Sequence, residues 1–213
     1  MRLVVSVPLA ALLTAAATVL SAPAAAQSSC FAQARPEPVP VNRRSPLSPA
    51  DSVCATVGNA TLAVRYARPS MRGRQIFGRL EPYGRVWRAG ANAATSFTTT
   101  RDLVFGDVTV PAGDYTLYAY IEDPGDVPAC GEDGTGGSGR GTGWRLILNK
   151  QLGQWGTDYS QAQDLARIPL RMCRPRSPVE RFDIRIVARG PAAGTITLAW
   201  ENTSASADFR VKR

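Results

Sequence analysis

The densest concentration of chemically capable side chains lies between Tyr66 and Asn92, where Arg68, Arg72, Arg74 and Arg88 are interleaved with Tyr83, Trp87 and Asn92. A guanidinium group presents a planar fork of N–H donors that matches the paired oxygens of a carboxylate or a phosphate. Tyr83, Trp87 and the more distant Trp155 add flat apolar faces with a polar edge, suited to a sugar ring or a lipid headgroup. With Asn92 these residues are the expected ligand-binding set, for an anionic or carbohydrate small ligand. The same arginines can instead pair with Glu81, Asp158 or Glu201 and pin a long loop, because buried arginine pairs commonly specify conformation.

Catalytic alternatives are narrowed by one absence. The chain has no histidine, which removes Ser-His-Asp and Cys-His catalysis and every histidine-ligated metal. What remains is a pair of carboxylates of the kind glycosidases use, drawn from Glu81, Asp114, Glu122, Asp158 and Glu201, or Lys150 beside Ser70 or Ser160. Sequence alone pairs none of them, so no catalytic residue is assigned. A carboxylate-based, glycosidase-like hydrolase is the alternative to a non-catalytic binding or structural module. No cysteine pair has the C-x-x-C spacing of a zinc site, so no metal and no cofactor is expected. Gly134, Gly136 and Gly139 fit a G-x-G-x-x-G pattern, but no strand leads into a helix there, which removes its physical basis as a nucleotide site. Glu132 and Asp133 beside those glycines match no calcium-loop spacing.

The elements that must position these residues are strands. Met1 and Arg2 are followed by an apolar run from Leu3 to Leu20 and the small-residue stretch Ser21 to Gln27, the pattern of a signal peptide cleaved after Ala26. Residues 27–50 carry Pro36, Pro38, Pro40, Pro46 and Pro49 and read as an extended arm. From residue 51 to 213 the hydrophobic pattern has period two, and no segment carries a long helical stripe. Val53 to Val57 and Leu62 to Tyr66 form a hairpin over Gly58-Asn59, and Tyr115 to Ile121 forms a core strand. Phe182, Ile184 and Ile186, then Ile196, Leu198 and Trp200, then Ala207, Phe209 and Val211 mark three more strands with one buried and one wet face. Gln161 to Ala166 suits a short helical turn, and 122–143 is a glycine-rich excursion within one hairpin. Eight to ten strands in a chain this size imply an all-β fold: a single antiparallel β-sandwich of jelly-roll or Greek-key type, with one long ordered Arg/Gly-rich loop.

The ordered run from Tyr66-Ala67-Arg68-Pro69 through Gly73-Arg74, Ile76-Phe77-Gly78, Pro82-Tyr83-Gly84 and Val86-Trp87-Arg88 to Gly90-Ala91-Asn92 resembles the bacterial family catalogued as domain of unknown function DUF2911. Pro111-Ala112-Gly113-Asp114-Tyr115, Asn149-Lys150 with Gly153-Gln154-Trp155-Gly156, and Trp200-Glu201-Asn202-Thr203 resemble further family segments in the same order. Two departures stand out: many members carry glutamate where this chain has Ala93, and the 122–143 excursion is longer. The resemblance implies an exported β domain and supplies no activity.

Composition fits export. The cysteines Cys30, Cys54, Cys130 and Cys173 all follow the cleavage point, and an even number in an exported chain implies disulfides. Three connectivities are open; Cys30 with Cys54 and Cys130 with Cys173 close the shortest loops. The formal net charge is +8, almost all of the basic residues being arginine, with Lys150 and Lys212 the only lysines. That charge permits an anionic partner, while the secreted or periplasmic location argues against nucleic acid. No segment after the signal is apolar enough to span a membrane, and oligomeric state is not legible.

Overall fold

The computed structural model describes residues 47–132, 134–135 and 143–212. The expected signal sequence, most of the expected proline-rich arm, Cys30, Asp133, Gly136 and Gly139 lie outside them. Among the described residues thirteen strands form two antiparallel sheets that pack face to face, the expected β-sandwich.

The first sheet runs β1 (Ala50–Val57), β2 (Ala60–Ala67), β4 (Thr95–Thr99), β7 (Gly113–Ile121), β8 (Arg145–Asn149) and β9 (Asp164–Pro169). The second runs β11 (Val179–Gly190), β12 (Ala193–Glu201), β13 (Thr203–Val211), β5 (Leu103–Phe105) and β6 (Val108–Val110). Two short strands extend ladders that longer ones leave open. β3 (Arg85–Trp87) pairs with the end of β7 beyond β4, and β10 (Arg171–Cys173) pairs with the start of β13 beyond β5.

The first hairpin closes on Gly58-Asn59 with Val57 opposite Ala60, as the turn pair predicts. The predicted helical turn at Gln161 to Ala166 is shorter: Gln161–Gln163 is one 3-10 turn, and Asp164 already enters β9. Its Asp164 side chain is held by Asn149, Tyr159 and Arg167, and these anchors draw the chain into the sheet.

One wet face was expected for Ile196, Leu198 and Trp200, yet in β12 the intervening Thr195, Thr197 and Ala199 are buried too. Their side chains are small, and long neighbours lie across them. The Arg189 Nε donates to Thr195 Oγ1, Thr195 donates to Asp208, and Arg171 pairs with Asp208 at 2.7 Å. Arginine stems shield small residues in this way while their charged heads stay in water.

Between the sheets the core is aliphatic along most of its length and aromatic at one end. Phe77 packs edge-on against Trp87, Trp144 and Trp200 at centroid distances of 5.4, 4.8 and 6.0 Å. Trp87 stacks on Trp200 at 5.8 Å and meets Phe182 edge-on at 4.9 Å. These rings come from a connecting loop, from both sheets and from the far side of the excursion, so the cluster locks four chain segments together. A disulfide between Cys130 and Cys173 fastens the excursion to β10 at the same end. No helix among the described residues is long and apolar enough to cross a membrane.

Truncating Phe77 to Ala removes the ring on which three tryptophans converge. The expected cost is about 3–5 kcal/mol, as for other buried aromatic truncations. Urea denaturation at constant m-value measures it, and a loss below about 1 kcal/mol contradicts a central role for this ring.

Candidate functional site

The connection from β2 to β4 crosses one end of the sandwich and is tied to both sheets. Directly after β2, the Arg68 guanidinium donates to Asp51 at 2.9 Å, to Asp183 at 3.1 Å and to the Phe182 carbonyl at 2.9 Å. Residues 69–72 then run alongside the start of β11: Phe182 N–H donates to the Pro69 carbonyl, Met71 N–H to the Glu180 carbonyl, and Arg72 N–H to the Glu180 side chain. The Glu201 carboxylate, at the end of β12, accepts from the consecutive amides of Ile76 and Phe77 at 3.1 and 3.2 Å. A tight turn over 76–81 follows, with Gly78 at φ +83° where a Cβ would meet the Tyr83 ring at 2.7 Å. That position therefore admits only glycine. β3 next joins β7, and Thr95 Oγ1 donates to the Ala89 carbonyl as the chain enters β4.

This framework brings together part of the expected ligand set. Arg72, Arg74, Arg88 and Asn92 line one cleft of about 330 Å³, together with Ser70, Glu81, Leu80, Trp200 and the Leu47-Ser48 end of the arm. Among the described residues neither Arg72 nor Arg88 forms a salt bridge, though Glu81 lies within electrostatic reach of Arg88, and Arg88 Nε is buried with no hydrogen-bond partner. Arg74 bends back so that its guanidinium donates to the Met71 and Ser70 carbonyls at 3.0 and 2.7 Å, which fixes the head at the cleft wall. The stem of Arg88 crosses Gly156, where a Cβ would lie 2.6 Å from Arg88 Cδ and 2.7 Å from the Asn92 carbonyl oxygen. Gly156 N–H donates to that same carbonyl at 2.9 Å. The Gly-Gln-Trp-Gly segment thus backs the arginine and holds Asn92 in place.

The other expected residues sit elsewhere. Arg68 is spent on its two carboxylates. Trp87 is 3% exposed and belongs to the aromatic cluster, so its face is covered by other rings. Tyr83 is half-buried over Gly78. Trp155 is 45% exposed and bridges backbone to backbone with Ala93, beside the cleft but outside its lining. Leu80, Trp200 and the arm's last residues were not anticipated in the cleft. They carry no polar signature, and only the folding of the loop onto β12 assembles them.

Backbone strain gathers at the same place. The described non-glycine residues with positive φ are Arg72, Ala89, Asn92 and Glu201, at 52°, 46°, 63° and 54°. Two line the cleft, one lies between Arg88 and Gly90, and one anchors the loop. Such conformations cost about 1–3 kcal/mol each and persist where surrounding contacts enforce them, often at ligand clamps.

The candidate catalytic carboxylates do not converge. Glu201 caps the loop amides, and Asp114 accepts from Thr98 in the first sheet. Only Glu81 lines the arginine cleft, while Ser70 lies there without Lys150. Among the described residues no cluster of three cysteine, aspartate or glutamate side chains is placed to hold a metal.

A second cleft of about 370 Å³ opens on the other side of Glu81 and Arg88, which line both. Burial pushes the Glu81 carboxyl above its ordinary pKa, and the nearby Arg88 charge only partly opposes this.

A family model described as a protein of unknown function, DUF2911, matches residues 48–125 and 138–209. The chain belongs to this family. The match covers every strand but the last residues of β13, and it includes the whole loop that builds the cleft. No curated protein and no solved structure matches the chain. The Gly-Gln-Trp-Gly backing and the Glu201 cap also lie within the matched residues.

The raised Glu81 pKa has a definite pH signature. The folded state holds a proton that the unfolded state has already released, so stability falls as pH rises through and just above the ordinary carboxylate range. Glu81→Gln removes that slope. Its melting temperature should exceed the parent's at neutral pH, with the gap closing as pH falls below the carboxylate range; a constant gap contradicts a buried, destabilised Glu81.

Proposed function

We propose that this DUF2911 protein is an exported, non-catalytic binding module that captures a small anion in the cleft between Arg72, Arg74, Arg88 and Asn92. The observation that carries this reading is the pair Arg72 and Arg88, which line one cleft without forming a salt bridge among the described residues, one of them desolvated at Nε. A buried donor without an acceptor costs about 1–3 kcal/mol, so an anion that supplies oxygens at this point recovers free energy that folding alone leaves unclaimed. Asn92 adds an amide donor, and Arg74 arrives pre-positioned by its carbonyl contacts, which lowers the ordering cost of binding.

Export is supported by the leader-like pattern of residues 1–27 and by the Cys130–Cys173 disulfide, a bond that persists in oxidising compartments. The net charge of +8 adds long-range attraction for anions.

Calorimetric titration with inorganic phosphate and with acetate tests the reading. Arg72→Ala with Arg88→Ala should weaken phosphate binding by about tenfold or more, since each hydrogen bond to a charged group contributes about 1.5–3 kcal/mol. The unliganded melting temperature should move little. Arg68→Ala should instead lower that melting temperature, because it removes the cation that joins Asp51 to Asp183 and leaves Asp183 with the exposed Arg185 alone. No heat with either anion, or unchanged affinity in the double variant, overturns the reading.

A further inference from the structure

The cleft beyond Glu81 and Arg88 is not needed to hold an anion, and its lining has a different chemistry. Glu81 and Arg88 form the wall shared with the arginine cleft; the remainder includes Arg85, Trp87, Tyr118, Thr157 and Tyr159. Charges of both signs face it. A second anion there is opposed by Glu81, and a cation is opposed by Arg85 and Arg88. The group best matched to such a lining is neutral and carries both donor and acceptor, which is what a hydroxyl does.

Several details favour a ring bearing several hydroxyls. Tyr118 and Tyr159 pack edge to face at 4.9 Å; Tyr159 is the half-buried ring at the cleft, with the buried Tyr118 and Trp87 behind it. Tyr159 is held by Asp164 and Arg167, and Tyr118 accepts from Gln154, so both rings are fixed before any ligand arrives. Trp87 is 3% exposed and its indole N–H has no acceptor among the described residues, and the next residue, Arg88, has the same deficit at Nε. Two consecutive residues at this wall thus carry buried donors without acceptors. Glu81 lines the same cleft and presents carboxyl oxygens to a hydroxyl.

We infer that the two clefts are subsites for one ligand, an acidic sugar whose carboxylate or phosphate lies among Arg72, Arg88 and Asn92 while its hydroxylated ring fills the Tyr118–Tyr159 cleft. This rests on the anion-binding reading above and extends it. Each cleft lies at the small end of the range for small-molecule sites, about 300–1,000 Å³, and a monosaccharide acid reaching past Glu81 and Arg88 contacts both.

The test compares each acidic sugar with its matched anion by calorimetry on the full chain. Glucose 6-phosphate is set against inorganic phosphate, glucuronate against acetate, and glucose is titrated alone. At least one acidic sugar should bind about tenfold or more tightly than its matched anion, a difference of about 1.4 kcal/mol. Whichever of the two gains more identifies the acid group. Thr157 is exposed and makes no structural hydrogen bond among those described, so Thr157→Trp fills the second cleft with little effect on folding, checked by an unchanged melting temperature. That variant should abolish the sugar's gain while phosphate affinity stays within about twofold. Acidic sugars that bind no more tightly than phosphate or acetate overturn the inference and leave the anion reading standing. So does a gain that survives Thr157→Trp. Absence of binding by phosphate and acetate as well overturns both.

Discussion

The Glu201 carboxylate, accepting two consecutive loop amides, is the contact on which the geometry at this end of the sandwich depends. The β2–β4 connection has few ladder hydrogen bonds of its own, so its buried amides need acceptors from elsewhere. Glu201 provides two at once from the end of a core strand, at the cost of a left-handed backbone. Phe77 is thereby delivered into the ring cluster, and with it the turn that carries Glu81 and the strand that carries Trp87 and Arg88. Polar anchoring and aromatic packing are one device here: the carboxylate sets where the ring enters, and the rings exclude water from the carboxylate's hydrogen bonds, which strengthens them.

That arrangement explains why arginines of similar sequence context take different roles. Arg68 leaves β2 while the chain still runs along the sheet, and it lands between Asp51 of β1 and Asp183 of β11, where it binds the two sheets. Arg72 and Arg88 come from later parts of the loop, where neither guanidinium forms a salt bridge among the described residues; Glu180 of β11 accepts from the Arg72 backbone N–H. Both line the same cleft, Gly156 letting the stem of Arg88 approach and Glu180 holding the backbone of Arg72. Internal pairing is realised at Arg68, and the recognition proposed above falls to Arg72 and Arg88, so that position along the loop separates the two uses.

The strand framework was largely legible because period-two alternation is a local property. Tyr115 to Ile121 and the three final strands declare themselves, as does the Gly58-Asn59 turn. β3 and β10 were not legible, since three residues carry no period and their pairing is set by space left free on β7 and β13. The cleft was half legible. Arg72, Arg74, Arg88 and Asn92 advertise their chemistry by type, and their spacing with glycines marks an ordered loop. Trp87 misled for a physical reason: an aromatic beside an arginine reads the same whether its ring faces solvent or core, and only the convergence of Phe77, Phe182 and Trp200 decides it. Tyr118 and Tyr159 were invisible as partners because forty residues and a hairpin separate them in the chain.

The placement of Glu81 gives the two clefts their relation. A carboxylate desolvated next to an unpaired guanidinium would ordinarily close on it as an ion pair, since attraction rises as water is excluded. Here the turn over 76–81 is fixed by the Ile76 carbonyl and the Glu201 cap, while Arg88 is fixed by β3 and Gly156, so neither backbone can yield. No ion pair between them is present among the described salt bridges. Each charge is left available to whatever enters beside it, and the two clefts share one acidic and one basic residue as a divided wall. A fold that merely needed rigidity would gain by letting the pair close. Holding them apart costs stability and leaves both groups without a salt bridge at the shared wall, which accords with the binding reading proposed above.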